Sequence, residues 1–180
     1  LKTKAIIVVH LYGQSVDMNR LKKISIKYKI PIIEDCSQAA GALHKNKKLG
    51  SFGDVGCFSF FPTKNLSGYG DGGMICTNNK LLFKKIKIIR EYGWDKQRNL
   101  VTLGTNSRLD EIQAAILNVK LKYLDKNNNE RINLAKKYSK HITNKKITLP
   151  IVFKNNKHVF HLYVIRLKQR NQLIHEFNKQ

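Results

Sequence analysis

Along the first 125 residues, short continuous apolar runs alternate with stretches whose apolar residues recur every three or four positions. "AIIVVH" (5–10) is short, continuous and β-branched, which predicts a buried strand. A turn at Gly13 follows, and Asp17 is placed to cap a helix that carries Met18, Leu21, Ile24 and Tyr28 along one stripe. Pro31 closes that helix region, and "IPIIED" (30–35) predicts a second buried strand ending in two carboxylates. Strand, helix and strand at this length predict a βαβ unit with parallel neighbours. "VGCFSF" (55–60) and "GGMICT" (72–77) read as a third and a fourth strand. Asn78 or Asn79 then caps a helix bearing Leu82, Phe83, Ile86 and Ile89.

In "NSRLDEIQAAILNVKLKYL", Ser107 and Asp110 have capping-box spacing, and Leu109, Ile112, Ile116 and Val119 form the expected apolar stripe. "DKNNNE" breaks that stripe near 125–130, and a second helix is predicted over about 131–142. After Pro150 the pattern changes. "HVFHLYVIRL" (158–167) predicts a long strand, and "NQLIHEFNKQ" (171–180) a helix reaching the last residue. The expected fold class is α/β: a mostly parallel mixed sheet flanked by helices. Residues 1–124 form part of a large layered domain, and residues 125–180 a connecting helix and the beginning of a small C-terminal domain.

The formal net charge of +22 points first to nucleic acid. Three features weaken that reading. Only seven of the 34 basic residues are Arg, the planar fork that base and phosphate readers favour. The lysines are also spread over the whole chain, and the abundance of Lys, Asn and Ile together matches A/T-rich codons. A salt-sensitive affinity for polyanions follows from charge alone, and no specific nucleic-acid partner is expected. No apolar run approaches the roughly 18 residues that span a bilayer, so no membrane partner is expected either. Cys36, Cys57 and Cys76 are scattered without C-x-x-C spacing. They read as free thiols in a reducing cytoplasm, and no metal site is expected.

In an open α/β sheet, ligands bind beyond the carboxyl ends of the strands. Asp35 lies at such an end, with Gln38 one short turn further on. Ser59 lies near the end of the third strand and Lys64 just past it. A carboxylate, an amide, a hydroxyl and an amine are therefore carried to one edge of one sheet. Each has a plainer reading as a helix cap, a buried hydroxyl or a solvated loop lysine. "GYGDGG" (68–73) matches G-x-G-x-x-G only formally, because it enters a strand instead of leaving one for a helix. Pyridoxal phosphate joins a lysine to a distant aspartate: its aldehyde takes the amine, and its ring nitrogen stays protonated beside a carboxylate.

"EDCSQAAGA", "GSFGDVGCFSFFPTKNLSGYGDGGMICTN" and "NSRLDEIQAAIL" closely resemble the sugar-nucleotide aminotransferases of the DegT/DnrJ/StrS type, within the aspartate-aminotransferase fold group. The resemblance runs from "TKAIIVVHLYG" to "HVFHLYVIRL". It implies that Lys64 forms the Schiff base with pyridoxal 5'-phosphate and that Asp35 pairs with the pyridine nitrogen. By the same resemblance Gln38 contacts the ring hydroxyl, Ser59 binds phosphate, and Asn106 reaches the phosphate of the partner subunit's cofactor in a homodimer. The implied reaction passes nitrogen from an amino donor, glutamate by resemblance, to a keto group on a nucleotide-linked hexose. "REYGWDKQRN" (90–99) resembles relatives acting on 3-keto sugars, with the C4 ketone as alternative. A dehydratase or regulatory relative, or a non-enzymatic polyanion-binding module, are the other readings. Some relatives carry His at the lysine position and act as dehydratases; this chain keeps Lys64. The family pattern also implies roughly a hundred further residues upstream, with a phosphate loop and a ring-stacking aromatic, so the 180 residues are expected to be inactive alone.

Overall fold

The apolar runs of the N-terminal third pair as the βαβ reading requires. In the computed structural model, which describes residues 2–179, β1 (Ile6–Val9) leads through a 3-10 turn (Leu11–Gly13) and α1 (Met18–Tyr28) to β2 (Ile32–Asp35). β1 and β2 are parallel, with Val9 opposite Asp35. A two-residue hairpin pair, β3 (Leu43–His44) and β4 (Lys47–Lys48), intervenes before β5 (Val55–Ser59), which joins β2 in parallel. β6 (Gly73–Cys76) then pairs with β5 antiparallel, giving the order β1-β2-β5-β6. A loop and no helix joins β5 to β6, so the chain reverses instead of crossing over. The sheet is mixed and mostly parallel, as the alternation of patterns implies.

α2 (Lys80–Ile89), α3 (Glu111–Leu121) and α4 (Leu124–His141) follow, then β7 (Asn156–Lys157) and α5 (Arg170–Phe177). β7 adds to β3, forming a small antiparallel sheet of order β4-β3-β7. Two helix starts are those the sequence marks: Asp17 accepts the Arg20 N–H at 3.1 Å, and Asn79 accepts from Leu81 and Leu82. Each satisfies donors that the first turn leaves unpaired.

Alternation along the strands sends the two faces of the main sheet to different environments. Val8, Ile32 and Met18 of α1 close one core cluster, with Ile6, Val16, Leu21 and Phe52 packed against it. On the opposite face Ile7 is 68% exposed and Ile75 52%. Glu34 falls on the buried face and is fully enclosed. Its carboxylate has four donors: His10 Nε2 (3.1 Å), Gly50 N (2.8 Å), Phe52 N (2.7 Å) and Gly53 N (2.6 Å). The His10 ring accepts the Val16 N–H at Nδ1, which leaves Nε2 to donate. Burial alone would raise the Glu34 carboxyl's proton affinity. The His10 bond and the three amides outweigh it and hold the pKa below its ordinary 4.5.

Four sequence expectations change. Ser107 makes no capping box, because α3 starts at Glu111 and Asp110 caps it without a side-chain bond. Ser107 is instead tied to the end of α2, through Ser107 N to Arg90 O and Arg90 Nε to Ser107 O, both 3.0 Å. On α3 the inward residue is Leu117, while Ile112 and Val119 face solvent, because Gln113 turns inward to accept the Tyr69 N–H. No break occurs at 125–130: α4 runs through it, because the polar Asn128 is the buried residue there and is hydrogen-bonded. "HVFHLYVIRL" is not a long strand. Its backbone donates to the 3-10 turn, from Val159 N to Gly13 O and from His161 N to Tyr12 O (both 2.9 Å), with Phe160 at φ 43° between them. α5 is seen over Arg170–Phe177, and the predicted end at Gln180 lies outside the described residues.

Glu34→Gln turns an NH2 group toward donors that now meet an oxygen, so about 3 kcal/mol of stability should be lost, read by urea denaturation of the complete protein. The folded-state pKa of Glu34 is lowered, so its contribution is complete above the ordinary 4.5 and disappears as pH falls through the lower folded value. The variant should lack that acid slope. A loss under about 0.5 kcal/mol would refute the clamp.

Candidate active site at the carboxyl edge of the sheet

Parallel pairing is what assembles the site. β2 and β5 run together with Asp35 opposite Cys57, so Ser59, two residues on, shares the Asp35 face and the same edge. The thiols register the aspartate's charge. Burial, then the negative charge of Asp35, pushes the Cys57 thiol up in pKa; burial first, then Glu34 and Asp35, does the same to Cys36. Asp35 is half-buried and accepts the Ser37 N–H at Oδ1 (2.9 Å), which leaves Oδ2 available to a cation.

Gln38 sits in the turn that follows β2, and its Oε1 accepts the Tyr12 N–H at 2.7 Å. That leaves its NH2 group as the free end. Tyr12 adopts the left-handed φ of 59°. Gly13, at φ 102°, brings the turn so close to its neighbours that a Cβ there would lie 2.9 Å from Val159 Cγ2 and 3.2 Å from Gln38 O. Ser59 ends β5, and its Oγ accepts the Phe61 N–H at 3.3 Å. Lys64 lies in the next turn, half-buried, with its N–H on Phe61 O. No ion pair among the described residues uses Lys64 or Asp35.

Asn106 stands on another element. It is exposed, bridges Glu91 in the connection between α2 and α3, and accepts from Arg108 Nε at 2.8 Å. No hydrogen bond joins it to the other four candidates among the described residues. A groove of about 660 Å³ lies beside the site, between β5, β6 and α2, and includes Cys57, Phe83, Arg90 and Arg108. None of the five candidates lines it. Its apolar walls follow from the sheet face meeting α2, and the polar candidates lie outside it, at the strand ends and in the turns that follow them.

Several contributors are invisible to local pattern. Asn65, next to Lys64, bonds Asn128 of α4 (2.8 Å), Val159 O (3.1 Å) and His161 (3.2 Å). These partners are 63, 94 and 96 residues away in sequence. Burial, then the positive charges of Lys64 and Arg131, lowers the His161 pKa. Burial lowers His158 to about 4, against a smaller opposing effect from its hydrogen bond with Gly13. His10, Glu34 and Cys36 approach one another within 4.8 Å, but the Glu34 oxygens are already filled by hydrogen bonds and the Cys36 thiol is held protonated. That trio acts as a structural clamp.

Comparison with known proteins gives the same outline. The sequence model described as "DegT/DnrJ/EryC1/StrS aminotransferase family" matches residues 1–180. A dTDP-3-amino-3,6-dideoxy-alpha-D-galactopyranose transaminase of Aneurinibacillus thermoaerophilus is 50% identical over 169 residues, covering 94% of this chain and 47% of that relative. A UDP-N-acetyl-3-dehydro-alpha-D-glucosamine 3-aminotransferase of Acidithiobacillus ferrooxidans is 44% identical over 171 residues, 94% of this chain and 46% of the relative. Among solved structures, S. venezuelae DesV in complex with a ketimine intermediate superposes with a TM-score of 0.94 at 37% identity, covering 99% of this chain and 48% of that one. The chain thus spans about half the length of the relatives it matches.

The buried His158 carries a prediction for acid stability. Its folded pKa of about 4 lies below the ordinary 6.5, so the unfolded chain takes up the proton first. Stability should be complete above about 6.5 and fall by up to about 3 kcal/mol as pH drops toward 4. Denaturation midpoints of the complete protein between pH 7 and 5 check this. His158→Phe should flatten the slope there, and an unchanged slope would contradict the neutral buried ring.

Proposed function

The chain belongs to the DegT/DnrJ/EryC1/StrS aminotransferase family, and on that premise we propose that the protein is a pyridoxal-phosphate-dependent aminotransferase acting on a keto group of a nucleotide-linked hexose. One observation carries this reading: β2 and β5 run parallel, so Asp35 at the end of one and Lys64 in the turn after the other stand at the same carboxyl edge, and neither is neutralised by an ion pair among the described residues. That donor set fits the cofactor. Lys64 would hold it through its amine, Asp35 through the oxygen left free by Ser37, Gln38 through its free NH2 group and Ser59 through its hydroxyl. When bound, the cofactor supplies an electron-withdrawing ring that stabilises negative charge at the Cα of the amino donor.

The protein's part is placement and proton transfer. Asp35 is fixed at a strand end whose next-door residue, Glu34, is locked in the core, so its carboxylate offers a negative charge at a constant position. Lys64, on a turn beyond β5, would serve to take up and hold at Nζ the proton released from the donor's Cα. Asn106 serves the partner subunit's site in a homodimer, which suits its exposed position apart from the other four. The names of the two curated relatives support a 3-keto substrate. In this reading glutamate is the donor, the cytoplasm is the compartment, residues 1–124 are part of the large domain, and residues 125–180 are a connecting helix and the beginning of a small C-terminal domain.

Borohydride reduction of the complete protein with pyridoxal phosphate should fix the cofactor on the peptide containing Lys64; label on another lysine would overturn the assignment. Lys64→Arg keeps the charge but should lower turnover at least about 100-fold, since a guanidinium neither attaches the cofactor nor moves protons. Asp35→Asn should still bind cofactor and lose orders of magnitude in turnover on a panel of 3-keto and 4-keto sugar nucleotides. An unchanged rate would leave Asp35 as a turn-forming residue only.

A further inference from the structure

The hydrogen bonds around Lys64 close into a ring. Tyr12 donates its N–H to Gln38 Oε1 and accepts the His161 N–H at its own carbonyl. The His161 side chain meets Asn65, Asn65 meets Asn128, and Asn128 Nδ2 donates to Ala40 O (3.0 Å), two residues from Gln38. Five stretches of chain take part: the 3-10 turn, the turn after β2, the Lys64 turn, α4 and the 158–161 segment. The space above Gly41, at φ 82°, belongs to this ring, since a Cβ there would lie 2.5 Å from Asn128 Nδ2.

The ring has a fixed direction. A backbone carbonyl only accepts, so Ala40 O sets the Asn128 carboxamide with Nδ2 toward it and Oδ1 toward Asn65. Val159 O sets Asn65 in the same way, with Nδ2 donating to both Val159 O and Asn128 Oδ1. The remaining end of Asn65, Oδ1, faces His161 Nδ1 at 3.2 Å. An oxygen needs a donor there, so the His161 proton sits on Nδ1. Asn128 is fully buried, and no buried side-chain nitrogen or oxygen among the described residues lacks a partner. A satisfied buried network of this kind holds a single geometry.

We propose that His161, Asn65 and Asn128 are positioning residues for Lys64: the Nδ1–H tautomer of His161 locks the Asn65 carboxamide, and with it the Lys64 backbone, against the turn that carries Gln38. This rests on the reading of Lys64 as the cofactor-bearing amine. A lysine on a turn has a long flexible side chain, so its reach is set by where its Cα is held. A misplacement of about 1 Å is enough to cost roughly 100-fold in rate. The segment 158–161 thereby acts on the site through Asn65 and the 3-10 turn.

The test uses the complete protein labelled with 15N-histidine, with and without pyridoxal phosphate. Near neutral pH the His161 signals should show Nδ1 protonated and Nε2 bare; the opposite tautomer, or an even mixture, would overturn the proposal. Two variants then separate roles. His161→Asn places its NH2 where the Nδ1–H stood, and His161→Phe keeps the ring volume without a donor. The first should hold kcat within about threefold of the parent, and the second should lose about tenfold or more in kcat with KM for the sugar nucleotide nearly unchanged. Equal losses in both would overturn positioning through Nδ1. Failure of the parent protein to fix cofactor on Lys64 would remove the functional reading and this role together. A parent that fixes it, with the wrong tautomer or equal variant losses, removes this role alone.

Discussion

The pleat of β2 forces Glu34 and Asp35 to opposite faces, and the rest of the molecule follows from how each charge is treated. Glu34 enters the core, where an unpaired carboxylate would be intolerable. It is retained because His10 and three amides of the 50–53 loop surround it. Those bonds tie the end of β1, the strand β2 and the 50–53 loop into one unit. Asp35, on the other face, keeps an oxygen for something outside the chain. One adjacent pair of acids thus divides into a member bound into the core and a member left at the edge of the sheet.

The second constraint is the 158–161 segment. It looks like a strand by composition, yet it finds no strand partner, because its donors are taken by the 3-10 turn at Tyr12 and Gly13. The cost of crossing from a distant part of the chain is met by filling three polar groups at once: the two turn carbonyls and the Asn65 carboxamide. Val159 is fully buried in the cluster with Cys36, Ala39, Ala42 and Leu49, so the crossing is also apolar at its centre. A brace of this kind links the turn that carries Gln38 to the turn that carries Lys64.

The charge of +22 has little part in this architecture. The Lys48–Asp125 pair is well exposed on both sides and stretches to 3.9 Å, so it adds little stability. The buried polar contacts are instead hydrogen bonds of histidine, carboxamide and carboxylate groups. Lys64 is distinguished from the other lysines by a half-buried turn and a neighbour anchored on three sides, not by being basic.

The βαβ unit, two of the helix caps and the place of Asp35 and Ser59 at the ends of paired strands were legible in the sequence, because each rests on local spacing: continuous β-branched runs, a capping residue before a stripe, strand ends a few residues away. The same local logic failed at Ser107, at 125–130 and at 158–167. There the deciding partners lie far away, in Arg90, in Ala40 and Asn65, and in Tyr12 and Gly13. A polar residue such as Asn128 reads as a helix breaker until a buried acceptor is seen to face it. Which of two adjacent acids serves the core was likewise decided only when the strand pleat met its neighbours. Sequence fixes periodicity and chemistry; hydrogen-bond partners separated by a hundred residues exist only once the chain has closed on itself.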